Sequence, residues 1–178
     1  KIRANKGYSF DAPMPVGTIS MASPFYNRFL FLVNGKDAHA ARPELGLNAL
    51  KLTIDALANV KLGSIDEDTI RNIRIADGET QQDSSAKFGL NMSVNKVPGS
   101  MFGIGEVRSF EEEKVEKYTD EVAQIFEQTI AASKQPFTIE FKKIRENGGF
   151  KFSLNDPFIQ ETIEAIKRNG LEPQFYSG

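Results

Sequence analysis

Cysteine is missing from the 178 residues, and histidine occurs once, at position 39. Without thiols the chain can form no disulfide, no thiolate zinc site and no cysteine nucleophile. With a single imidazole, any transition-metal site made by this chain alone would rest mostly on carboxylates. No run approaches the ~18 apolar residues of a membrane-spanning helix, and no charged-then-apolar leader opens the chain, so a cytoplasmic setting is the expectation. An excess of charge is lacking too. The 22 Lys and Arg face 24 Asp and Glu, and the net charge of −2 creates no field toward nucleic acid or acidic lipid. Neither nucleic acid nor membrane is expected as a partner.

What is present is an ordinary globular composition, 40% hydrophobic and 26% charged, long enough for a sizeable core. "YNRFLFLVNG" (26–35) is aromatic and β-branched and ends at Asn-Gly, which predicts a buried strand closing in a turn. Pro43 suits a first helical position, and Leu47, Leu50, Ile54 and Leu57 predict an apolar helix face behind it. "DTIRNIRIAD" (68–77) reads as a half-buried strand carrying Ile70, Ile73 and Ile75, and the polar stretch 78–93 as a loop or long hairpin tip. In "SMFGIGEVRS" (100–109), Gly103 and Gly105 share one pleat face and would let another element approach closely.

The clearest helix follows. Ser109 and Glu112 fit a capping box, Glu111 to Glu113 lie at the positive end of the dipole, and Val115, Tyr118, Val122, Ile125 and Thr129 keep one stripe. "FTIEFKKIR" (137–145) alternates as a strand with one wet face. The order β, α, β, β, α, β predicts an α+β fold: a ferredoxin-like two-layer sandwich, with a four-stranded antiparallel sheet and two helices on one face. After "ENGG" (146–149) a further helix opens at Asp156-Pro157, carries Ile159, Ile163 and Ile166, and closes at Gly170. This segment and the opening "GYSFDAPMPVGTIS" (7–20) lie outside the sandwich and are expected to belong to a second domain. A chain that starts at Lys1 and stops at "FYSG" is expected to be a piece of a longer protein.

His39 stands between a strand-like and a helix-like run, in "LVNGKDAHAARPELGLNAL" (32–50). It could be a core residue, a metal ligand, or a hydrogen-bond donor offered to something outside the chain. A lone histidine is more often structural, but Ala38, Ala40 and Ala41 leave room for close approach, and the junction places it at a rim. Asp11 beside Ala-Pro could be a turn former, and Asn95 a structural residue before a proline turn. Arg108 could pair with Glu106 or Glu112 on the surface, a bridge worth about 0 to 1 kcal/mol.

"GYSFDAPMPVGTI", "NGKDAHAARPELGLNAL" and "NKVPGSMFGIGEVRS", in that order and spacing, resemble the di-zinc exopeptidase family of peptidase T, carboxypeptidase G and succinyl-diaminopimelate desuccinylase. Within that family the likeness is closest to peptidase T-like tripeptidases, and it runs over nearly the whole chain. The resemblance implies residues 21–146 as a lid, or dimerisation, domain. Residues 1–20 and 147–178 would be remnants of an α/β zinc catalytic domain. It further implies a homodimer acting on a small peptide, with His39 reaching the partner's active site as oxyanion donor, Asn95 holding the substrate backbone and Arg108 pairing with a substrate carboxylate. Asp11 would be a ligand to one of two zinc ions, the other ligands lying outside the chain, so this segment alone is expected to be inactive. The same resemblance leaves open an amidohydrolase of N-acyl amino acids. A non-catalytic ferredoxin-like dimerisation or ligand-binding module would share the fold. The chain departs from the family pattern through an apparent insertion between Gly78 and Val94 and through Arg74 in a strand usually built of small residues.

Overall fold

The computed structural model describes residues 7–9, 14–77 and 95–177. They form two compact units, one from the segments up to Pro24 and from Gly149 onward, the other spanning Phe25–Gly148. The loop expected over residues 78–93 lies outside the described residues.

The larger unit is built on strands β2 (Phe25–Asn34), β5 (Thr69–Asp77), β7 (Ser100–Ser109) and β8 (Thr138–Asn147), joined in the antiparallel order β5-β7-β2-β8. The two-residue strand β4 (Gly63–Ser64) adds to the β5 edge. Alternation sends Asn27, Phe29, Phe31 and Val33 of β2 to one face, where all four are buried. Directly across the strand pair, Phe31 faces Gly103 and Phe29 faces Gly105. A Cβ at Gly103 would lie 2.0 Å from Phe31 Cζ, and one at Gly105 would lie 2.2 Å from Phe29 Cζ. The glycines therefore make the hollow into which the two rings fold, and the close approach expected from their pleat is that of the neighbouring strand's own side chains. Phe31 then meets Phe126 at 4.7 Å between ring centroids, and Phe29 stacks on Phe141 at 5.3 Å.

Helices α1 (Ala49–Leu57) and α2 (Glu112–Ser133) cover this face. Three local expectations are corrected. Pro43 opens a 3-10 turn, Pro43–Leu45, and α1 begins only at Ala49, where the Asn48 side chain accepts the Lys51 N–H. Of the expected stripe, Leu47, Leu50 and Leu57 pack partly buried against the core, but Ile54 is 51% exposed and the buried positions are Ala49, Leu52, Thr53 and Ala56. Small residues let the helix sit close to α2 and the sheet, and Thr53 Oγ1 satisfies itself on the Ala49 carbonyl at 2.8 Å. The Ser109–Glu112 capping box does not form either. Ser109 ends β7, bonds across the sheet to Thr69 Oγ1 at 3.1 Å and accepts the Glu111 N–H at 3.2 Å, leaving Glu111 at the cap without a side-chain bond.

Polar contacts tie α2 to its surroundings on both flanks. Lys114 Nζ bonds Asp68 at 2.8 Å and Glu111 at 2.9 Å, contacts that hold its ammonium above the usual lysine range. On the other flank, Glu116 accepts from Asn27 Nδ2 at 2.7 Å and from Lys143 Nζ at 3.0 Å, and both bonds hold its carboxyl below the ordinary value.

In the smaller unit, β1 (Thr18–Ser23) pairs in parallel with β10 (Gln174–Ser177) and antiparallel with β9 (Phe150–Lys151). Helix α3 (Pro157–Arg168) starts where Asp156 Oδ1 accepts the Phe158 N–H at 2.8 Å, and its Ile159, Ile163 and Ile166 pack against Ile19 and Met21. Its cap, stripe and closing Gly170, at φ +75°, are as the sequence predicts. No helix among the described residues is long and apolar enough to cross a membrane.

β5 is the half-buried strand expected, with its isoleucines divided between the faces. Ile70 and Ile73 have opposite parity and cannot share a face; the strand turns Thr69, Arg71 and Ile73 inward and leaves Ile70 exposed. Arg71 is 1% exposed and lies beneath α2, with Nη2 3.1 Å from Glu121 Oε1 and its guanidinium 5.8 Å from the Tyr118 ring centroid. Its Nε and Nη1 have no partner among the described residues. Breaking such a pair strands a buried charge, whereas replacing the cation by an apolar side chain of similar volume removes the desolvation cost. Glu121→Ala should cost about 1.5 to 3 kcal/mol, and Arg71→Met should be neutral or stabilising. Urea denaturation midpoints of the two variants check this; a larger loss for Arg71→Met than for Glu121→Ala contradicts it.

Candidate functional site

His39 is carried at the end of the sheet where β2 leaves and β7 begins. Strand β3 (Ala38–His39) pairs antiparallel with β6 (Lys96–Val97), His39 opposite Lys96. Around this two-residue ladder the loops are cross-tied by backbone. Gly35 N donates to Gly99 O at 2.7 Å, Ala40 N to Asn95 O at 3.1 Å, Ala49 N to Pro98 O at 2.8 Å, and Lys36 and Leu47 exchange bonds of 3.0 and 2.8 Å. Gly99 N also donates to Asp37 Oδ1 at 2.8 Å. A Cβ at Gly35 would lie 2.2 Å from Leu47 O, and one at Gly99 2.5 Å from Asp37 N, so glycine is required for the strands to approach this closely. A short peptide segment that would fray alone is thereby fixed to the rigid sheet.

From this rim His39 and Asn95 both project exposed, with Nε2 of the ring 2.9 Å from the Asn95 side-chain amide nitrogen. The Ala41 N–H donates to His39 Nδ1 at 3.1 Å. A neutral imidazole whose Nδ1 accepts carries its proton on Nε2. Two donors do not face each other at hydrogen-bond distance, so hydrogen-bond logic puts the Asn95 oxygen toward the ring and turns its NH₂ outward. The Nε2–H then rests on the Asn95 oxygen, so the pair offers an outside acceptor oxygen the Asn95 amide protons directly and the Nε2–H by exchange of that internal bond.

Arg108 lies elsewhere. It sits on the opposite, helix-free face of β7 near that strand's far end, eight residues beyond Ser100 and, at ~3.3 Å per residue, about 26 Å from the His39 rim. Its Nη2 is 3.1 Å from Glu106 Oε2, the surface pairing that its sequence allowed, and its guanidinium stands 4.6 Å from the Tyr26 ring centroid. The structure thus brings His39 and Asn95 together and separates Arg108 from both. Asp11 lies outside the described residues. Among those that are described, no three His, Asp or Glu side chains converge to hold a metal ion. Sequence reasoning missed Tyr26 as a neighbour of Arg108. Its outward parity on β2 was legible, but not the register that sets it opposite Arg108.

A ferredoxin-like sheet with two helices on one face and a histidine-bearing rim at one end defines a class of domain, and residues 27–134 match the family model described as a peptidase dimerisation domain. The chain belongs to that family. It is 29% identical over 170 residues to the uncharacterised protein YqjE of Bacillus subtilis (strain 168), covering 95% of this chain and 42% of YqjE. Among solved structures it resembles the aminopeptidase PepT of Bacillus cereus ATCC 10987, with 28% identity and a TM-score of 0.82 over 99% of this chain and 44% of that one. It also resembles a tripeptidase of Staphylococcus aureus subsp. aureus Mu50, with 26% identity, a TM-score of 0.82 and the same coverage. The chain spans less than half the length of these relatives.

Nitrogen-15 correlation spectra of the single imidazole, recorded where the ring is neutral, should show the proton on Nε2. A ring protonated at Nδ1 would contradict the Ala41 contact and the donor role of Nε2.

Proposed function

We propose that this chain is the lid and dimerisation segment of a cytoplasmic di-zinc aminopeptidase acting on small peptides, tripeptides in particular, and that it lends His39 to the active site of a second copy. The observation that carries this reading is the exposed His39–Asn95 pair on a backbone-tied rim, with no metal-ligand set around it among the described residues. The likeness to an aminopeptidase and a tripeptidase supports the substrate class. Donors aimed where negative charge develops on a carbonyl oxygen can contribute about 3 to 4 kcal/mol to a transition state. Asn95, with its NH₂ outward, would hold the substrate backbone beside that oxygen. Arg108 would bind the substrate carboxylate through the free edge of its guanidinium.

The described residues do not make up a metal site, so the zinc pair is assigned to the remainder of the parent chain, with Asp11 the ligand this segment would contribute. No step of the reading depends on geometry at that metal. The segment alone is expected to be inactive.

The separation of Arg108 from His39 supports a shared site. A rigid sheet about 26 Å long cannot bring both ends to one small peptide, whereas a two-fold dimer lets each site take His39 and Asn95 from one copy and Arg108 from the other. Apolar side chains support a face for that partner: Leu45 is 54% exposed and Ile54 51%. Beyond β4, which covers only Ile70 and Arg71, the outer edge of β5 has no partner strand among the described residues.

In the full-length parent, His39→Ala should lower tripeptide turnover by about 10²- to 10³-fold while zinc content stays unchanged; lost zinc would make His39 a ligand. Mixing His39→Ala with Asp11→Ala protomers, each inactive alone, should restore about a quarter of wild-type activity on statistical exchange. Failure to restore any would place the histidine in its own subunit's site. Ile54→Glu should convert the dimer to monomer in sedimentation velocity and abolish turnover in parallel. A dimer that survives this charge has its interface on another face.

A further inference from the structure

Arg108 is not loose on the outer face of the sheet. The register sets Tyr26 directly opposite Arg108 and Arg28 directly opposite Glu106, a checkerboard of four side chains on two strands. Arg28 donates from Nη2 to the Tyr26 hydroxyl at 3.3 Å and pairs through Nη1 with Glu146 at 3.2 Å. The tyrosine ring is thus held at its hydroxyl end, and its face carries the Arg108 guanidinium at 4.6 Å. Glu106 takes one edge of that guanidinium, and the Arg108 side chain remains 44% exposed.

We propose that Tyr26 is a positioning residue for Arg108 and that Glu106 is a placeholder which a substrate carboxylate displaces. The proposal rests on the reading that Arg108 receives the substrate's C-terminal carboxylate. An unsupported arginine loses rotamer freedom when it binds; one already laid flat on a ring has lost much of it beforehand, and its N–H fork lies in a fixed plane. Two glutamates balance two arginines, so the empty cluster is neutral. An arriving carboxylate adds a negative charge beside Glu106, whose side chain has the Arg28 guanidinium across the strand pair to turn to.

The test uses the full-length enzyme with one tripeptide as the free acid and as its C-terminal amide. Tyr26→Ala should raise KM for the acid about two- to fivefold, with kcat and the KM of the amide unchanged. Tyr26→Phe, which keeps the ring, should stay close to wild type. Glu106→Gln should lower KM for the acid by up to about fivefold without helping the amide. Should Tyr26→Ala fail to fold by circular dichroism, Tyr26→Phe and Glu106→Gln still decide the matter.

Equal changes for acid and amide, a Tyr26→Phe as impaired as an arginine-free site, or an acid KM that does not fall in Glu106→Gln would overturn the proposal. Arg108→Ala separates the two levels. If it abolishes discrimination between acid and amide while the Tyr26 and Glu106 variants behave as wild type, only the positioning is wrong. If it leaves discrimination intact, the carboxylate reading fails as well.

Discussion

The larger unit depends on two phenyl rings lying across two glycines. Phe29 and Phe31 of β2 fold over Gly105 and Gly103 of β7, where any Cβ would overlap a ring carbon. Lying flat on the neighbouring strand, the rings present their faces to Phe126 and Phe141 and keep the layer thin enough for α1 to pack through alanine and threonine. Each fully buried phenylalanine contributes about 1.5 to 3 kcal/mol, so this pair is a large fraction of a domain's net stability. A methyl group at either glycine would force a ring out of place at the centre of the sheet, where nothing can relax without moving a helix.

The same two strands carry both candidate functional ends. β2 leads out to the rim of His39, and β7 leads in from the rim of Asn95; at their other ends stand Tyr26 and Arg108, again face to face. Packing of the inner face therefore fixes the outer chemistry. Side chains on a close-packed sheet keep their separation, and the distance between the two ends acts as a ruler. On that ruler, a peptide-sized ligand that met both ends would need two copies of the domain.

Much of the sandwich was legible in the chain because several segments state their own character: the aromatic, β-branched run of β2, the alternation of β8, the glycine pleat of β7, and the long stripe of α2. The misreadings have physical causes. On α1 the expected leucines flank the core while Ala49, Leu52, Thr53 and Ala56 fill the closest approach, because the short distance between layers favours small side chains there, and Ile54 is left outside. On β5, isoleucines of opposite parity could not both face the core, and an arginine with a carboxylate partner took the interior. Ser109 was drawn from a helix cap into a cross-strand bond with Thr69. His39 could be placed at a rim from its alanine neighbours, but its contact with Asn95 depends on a β3–β6 pairing between segments 56 residues apart.

The two ends also present donors in different electrostatic ways, and the difference follows from where each sits. At the rim, Asn95 and the uncharged form of His39 are neutral donors, both exposed, and their orientation comes from short-range contacts: the Ala41 N–H on Nδ1, and the backbone ties of Ala40 and Gly99. Neutral donors need no counter-ion, so they can be carried out to meet another molecule at little desolvation cost. On the sheet face, Arg108 and Arg28 bear full charges and are matched by Glu106 and Glu146, so an external anion could bind there only by exchange with an internal one. Neutral donors can stabilise charge that appears during a reaction, whereas an ion pair awaiting exchange recognises charge already present on the ligand. The division suits an oxyanion at the rim and a carboxylate on the sheet.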